Sequence, residues 1–193
     1  MSLEDFKNNC IDLNTDILVQ KYLIENGSYF FDNIKVGEEF NFKKDVSSKL
    51  GVHFRDITIV GSGKLGFSMK DEKDTPGLYL FKSFDFERIS DLDVAVVSST
   101  LFDNAIRNLY SHTIFYQNVW VKRNSLAKYV LKGRLATRYL PLDFELTKEI
   151  AKVQADYQMK YGRMVNIEVY KSWYFLETYH EQNIKNIQIN LIR

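Results

Sequence analysis

Two carboxylates and a glycine-bearing turn are the residues whose types and spacing could do chemistry. Asp91 and Asp93 flank Leu92 at the start of the apolar run Val94-Ala95-Val96-Val97. Strand side chains alternate between faces, so both acids project to one side while Leu92 points into the core. Like charges so placed repel, and desolvation adds to the cost. A hard divalent cation, Mg2+ or Mn2+, resolves the conflict, because Mg2+ takes oxygen ligands and is held by one or two carboxylates together with substrate phosphates. The second piece is Gly61-Ser62-Gly63-Lys64, which follows the β-branched run Asp56-Ile57-Thr58-Ile59-Val60. Gly61 and Gly63, lacking a Cβ, let the backbone approach a ligand. Successive N–H groups in such a turn form an anion-binding nest, to which Ser62 adds a hydroxyl and Lys64 a positive charge. A phosphate cradle beside a dicarboxylate cation site describes phosphoryl or nucleotidyl transfer.

Other uses of the glycines fit less well. Gly61-x-Gly63-x-x-Gly66 matches a dinucleotide fingerprint, but that motif needs a helix directly after the glycines, and residues 69–77 are a charged, turn-forming stretch with Pro76. Lys64 precedes Gly66 and no Gly-Lys-Ser/Thr follows, so the turn is not a Walker loop. His53, His112 and His180 are scattered without metal-ligand spacing.

Gly61-Ser62 followed by Ser90-Asp91-Leu92-Asp93 resembles the signature of the DNA polymerase β-like nucleotidyltransferase superfamily: an apolar strand, Gly-Ser, a spacer, then Asp-x-Asp opening a second strand. The motifs span residues 56–97, about a fifth of the chain. The spacer, with 28 residues between Ser62 and Asp91, is longer than the minimal pattern, and an inserted hairpin around 72–86 would account for it. The resemblance implies an α+β fold, a mixed sheet packed by helices with a helical C-terminal part, in one domain over 1–193 whose core runs from about 36 to 170. It implies metal-dependent transfer of a nucleoside monophosphate from a nucleoside triphosphate to an acceptor hydroxyl, the acceptor being a small molecule, a protein or an RNA end. Asp91 and Asp93 would bind the ions and a third acid would complete the metal set. Glu168, in Val165-Asn166-Ile167-Glu168-Val169, is the first candidate, with Asp143 and Glu145 behind it. The alternative is a catalytically degenerate protein of the same fold that binds a nucleotide or a partner, as in a bacterial defence or toxin–antitoxin system.

The elements that must position these groups are legible in part. A helix is expected over the first 27 residues, a second from Phe40 to Leu50, and strands at 56–60, 78–86, 90–97 and 164–170. Further helices are expected at 100–110, 125–140, 146–157 with Asp143 as its cap, and from Ser172 onward. From Asn104 to Leu142 there is no acid but seven basic residues, among them Lys132 and Arg134, which are expected to meet the triphosphate or an acidic acceptor.

Composition bounds the reading. With 193 residues, 45% apolar and 26% charged, the chain is long enough to bury a sizeable core. A net charge of +1 argues against an extensive nucleic-acid surface. One cysteine, Cys10, excludes an intramolecular disulfide and fits a reducing, cytoplasmic compartment. No run of 18 apolar residues or signal-peptide core is present, so no membrane association is expected.

Overall fold

The structure, a computed structural model, describes residues 2–191. Helices α1 (Leu3–Asp12) and α2 (Thr15–Leu18) lead into a π-helical turn at Val19–Glu25, and a second such turn, Phe30–Ile34, precedes α3 (Glu39–Leu50). Then come β1 (Ile57–Val60), α4 (Ser62–Leu65), β2 (Leu92–Val97), α5 (Ser99–His112), α6 (Arg123–Val130), β3 (Arg134–Leu135), α7 (Glu145–Tyr161), β4 (Val165–Tyr170) and α8 (Trp173–Leu191). The strands form one mixed sheet in the order β1-β2-β4-β3. In it β3 runs antiparallel to β4, with Arg134 opposite Tyr170 and Leu135 opposite Val169. The class is therefore α+β, as expected.

The chain divides into two compact units, Met1–Glu39 with Ile59–Asp93 and Glu177–Arg193, and Phe40–Thr58 with Val94–Leu176. The first unit is built on aromatics. Phe6 meets Tyr22 edge-on at 5.2 Å and Phe67 at 5.1 Å, and Leu18, Leu23, Leu65, Ile184 and Ile187 close the cluster. The second has α5 and α7 packed on β4. There Phe42 of α3 meets Tyr157 of α7 at 4.7 Å, and Val46, Ile150, Val153 and Ile167 are buried.

Four local expectations need correction. The N-terminal helix breaks at Leu13 and Asn14, whose ψ values of 152° and 150° are extended. No strand forms over 78–86; a single antiparallel bridge joins Phe67 to Ser83, and Phe81 and Asp85 take φ of 49° and 62°, which no pleated strand tolerates. Phe81 is there as a core anchor, 6.1 Å from Phe67. The helix expected over 125–140 ends at Val130, because Gly133 at φ 63° turns the chain into β3. A Cβ at Gly133 would overlap the Phe175 ring, so only glycine fits. Finally, Phe144 rather than Asp143 occupies the N-cap of α7, and the Asp143 carboxylate lies 3.3 Å from His112 Nε2.

Candidate functional site

The turn between β1 and α4 is set by one residue. Gly61 has φ 65° and ψ −147°, a conformation essentially confined to glycine. A Cβ there would come within 3.1 Å of Asp93 Oδ2, so the carboxylate of β2 lies directly against the Gly61 backbone. Ser62 opens α4. The N–H groups of Lys64 and Leu65 donate to the Gly61 carbonyl at 3.1 and 3.3 Å, and that of Gly66 donates to the Ser62 carbonyl at 2.8 Å. These three bonds close the single turn of α4 onto Gly61 and Ser62.

Asp93 is half-buried, Asp91 is exposed, and Leu92 between them is fully buried, which is the alternation expected. A reciprocal pair holds the entry to β2: Ser90 N–H donates to Asp85 Oδ1 at 2.7 Å, and Asp85 N–H donates to Ser90 Oγ at 3.0 Å. Ser90 thus closes the 85–90 loop and fixes where Asp91 begins.

The rest of the turn faces inward. Gly63 is buried, and a Cβ on it would meet Leu92 Cδ1 at 2.9 Å and Ile59 Cγ2 at 3.4 Å. Its smallness lets α4 sit on the strand side chains; it serves packing. Lys64, expected at a phosphate, is 6% exposed, and its ammonium donates to the carbonyls of Ile24, at 3.2 Å, and Asn26. Those carbonyls end the π-helical turn Val19–Glu25, so Lys64 acts as its cap.

Glu168 also departs from its expected role. Its two carboxylate oxygens take charge-assisted hydrogen bonds from Arg134 and Arg138, and the Glu168 side chain is only 11% exposed. Arg134 lies 5.2 Å from the Tyr129 ring and 5.5 Å from Tyr170, and Arg138 lies 4.8 Å from Tyr139. The Tyr139 hydroxyl is held below its ordinary pKa of 10.0 by its hydrogen bonds with Arg138 and Tyr129. Arg134, expected at the triphosphate, is a clamp on Glu168 instead. Lys132 is exposed between α6 and β3. Among the described residues, no three Asp, Glu, His or Cys side chains gather as a metal-holding group. Asp143 is taken by His112, and Glu145 lies in the first turn of α7.

The Arg134–Glu168–Arg138 clamp was not foreseen. Its signal was present: an acid on a buried strand, and two arginines four residues apart in a stretch without acids of its own. No protein-family model, curated protein or solved structure matches this chain.

Proposed function

We propose that the Asp91/Asp93 pair and the Gly61-Ser62 turn form a divalent-cation and polyphosphate site, and that the protein transfers a nucleoside monophosphate from a nucleoside triphosphate to an acceptor hydroxyl. The observation that carries this reading is the close approach of Asp93 Oδ2 to Gly61, where any side chain would intrude. It puts a carboxylate beside a bare backbone turn, and two carboxylates are a donor set that suits Mg2+ or Mn2+. A divalent ion held there would neutralise charge on the phosphates and polarise the reacting phosphorus.

The chain's own residues then divide the work. Asp93, pinned against Gly61, and Asp91, one strand repeat away, orient the cation on one face of β2. The Ser62 hydroxyl and N–H, on the half-buried part of the turn, would steady the phosphate oxygens. The acceptor oxygen bonds to the α-phosphorus as the bond to pyrophosphate breaks, and the hydroxyl proton leaves to solvent, since Glu168 is engaged by its two arginines.

That engagement favours a second reading, nucleotide binding without transfer, in which no third carboxylate serves the cation. One experiment separates the two. The protein is incubated with each α-32P-labelled triphosphate, Mg2+ or Mn2+, and cell extract. Label transfer that disappears in Asp93→Ala supports the enzyme. Metal-dependent nucleotide binding without transfer supports the binding protein. Absence of both overturns the site.

A further inference from the structure

The whole-chain charge of +1 is an average over two unlike units. The first contains 17 acidic and 10 basic residues, a formal net of −7; the second contains 8 acidic and 16 basic, a net of +8. The second unit is therefore as basic as a polyanion-binding surface requires, whatever the charge of the whole chain. Its excess is concentrated in Asn104–Leu142, the stretch without Asp or Glu. Among the described residues, Arg107, Lys122 and Arg123 have no carboxylate at ion-pair distance. Lys122 Nζ donates to the Arg138 carbonyl at 3.2 Å and Arg123 Nη1 to the Trp120 carbonyl at 3.1 Å, contacts that fix the side chains without neutralising them.

The same stretch presents aromatic rings on a rigid turn. Ile114, Phe115 and Tyr116 have successive φ values of 49°, 54° and 69°, a left-handed run that L side chains rarely adopt. The run is held by Phe115 N–H to the Tyr110 carbonyl at 2.9 Å, Tyr116 N–H to Thr113 Oγ1 at 3.2 Å and Asn118 N–H to the Thr113 carbonyl at 2.9 Å. Backbone strain of this kind ordinarily serves burial or function, and here nothing is buried by it. Phe115 is 63% exposed, and Tyr110 and Tyr116 are also more than half exposed. The Phe115 and Tyr110 rings lie 5.3 Å apart. Arg107 sits one turn before Tyr110 on α5. The far side of the loop is tied down by Trp120 Nε1 donating to the Tyr139 carbonyl at 2.7 Å.

We propose that this face of the second unit binds single-stranded nucleic acid, with Tyr110, Phe115 and Tyr116 as a stacking platform and Arg107, Lys122 and Arg123 along the backbone phosphates. Charge complementarity calls for a polyanion. Rings more than half exposed suit unpaired bases, whose π faces a duplex hides. A lipid surface would be met by the apolar face of an amphipathic helix, whereas Phe115 and Tyr116 stand on the loop after α5 and only Tyr110 belongs to the helix. The inference goes beyond nucleotidyl transfer and does not depend on it, because stacking and phosphate contacts need neither triphosphate nor divalent ion.

The test is fluorescence anisotropy of the full chain with labelled dT20 and rU20 oligonucleotides in EDTA, alongside flotation with phosphatidylserine/phosphatidylcholine vesicles. Affinity should fall about 20-fold between 50 and 200 mM NaCl if the three basic residues each neutralise one phosphate. The F115A/Y116A variant should lose about 10-fold or more, and K122A/R123A should lower both affinity and salt slope. Circular dichroism checks folding, and the single variants Y116S and K122E carry the test if a double variant does not fold. The proposal is overturned if no oligonucleotide binds at about 100 μM protein in low salt. It is equally overturned if binding is unchanged in both variants, or if vesicles bind and oligonucleotides do not.

Discussion

Glu168→Gln separates the two roles open to that carboxylate by the sign of its effect. If Glu168 shared a cation site with Asp91 and Asp93, removing its charge would relieve repulsion in the metal-free protein and raise its stability. The structure places it between Arg134, with 15% of its side chain exposed, and Arg138, with 52% exposed. Losing one partner of a well-buried ion pair costs about 3–5 kcal/mol, because the other charge stays desolvated. Glutamine still offers Arg134 one acceptor oxygen, and solvated Arg138 contributes less than about 1 kcal/mol. The expected net loss is about 2–3 kcal/mol, or a fall of about 4–12 °C in Tm for a chain of this length. Differential scanning calorimetry in EDTA reads it directly. The double variant Arg134→Met/Glu168→Leu should recover much of the loss, since an apolar pair replaces both charges. A Tm that stays put or rises in Glu168→Gln would refute the clamp and return Glu168 to the cation site.

Lys64→Met should destabilise the protein by about 1–3 kcal/mol in urea denaturation by stranding the Ile24 and Asn26 carbonyls; unchanged stability with weakened triphosphate binding would restore its phosphate role. Burial pushes the Cys10 thiol up to about 11 from 9.0, so at pH 8 the native protein should carry about 100-fold less thiolate than an exposed cysteine, and Ellman's reagent should react only on unfolding. Desolvation alone would raise the Asp45 carboxyl, but hydrogen bonds from Lys49 and Tyr157 outweigh it and hold its pKa below 3.8. A depressed folded-state pKa stabilises above the unfolded value and is lost as pH falls through the folded one. Asp45→Asn should therefore cost less than about 1 kcal/mol at pH 7, and its difference from the parent should shrink on acidification below 3.8.

Much of the scaffold could be read from local pattern. The helix ending at Leu50 and the helix over Glu145–Tyr161 follow from helical spacing, the strand at Val165–Tyr170 from alternation, and the strands at Ile57–Val60 and Leu92–Val97 from short, β-branched apolar composition. The Asp91/Leu92/Asp93 alternation follows from the same rule, because a two-residue repeat dictates which side chains share a face. Where competing long-range contacts decide, local pattern fails. The stretch 125–140 has helical spacing, yet Gly133 must fold back under Phe175; Leu78–Phe86 has strand composition, yet Phe81 is drawn into the Phe6 cluster.

For the site the division is sharper. Sequence by itself determined that Leu92 is buried between two less buried acids at the start of a strand and that Gly61 makes a turn no other residue makes as cheaply, since both are properties of a few consecutive residues. Tertiary structure alone decided the partners of the charged groups. Lys64 finds carbonyls 38 and 40 residues earlier in the chain, and Glu168 finds guanidinium groups 30 and 34 residues earlier. A half-buried charge must be compensated by whatever the fold brings alongside it, and which group that is depends on packing between distant segments, which no local spacing encodes.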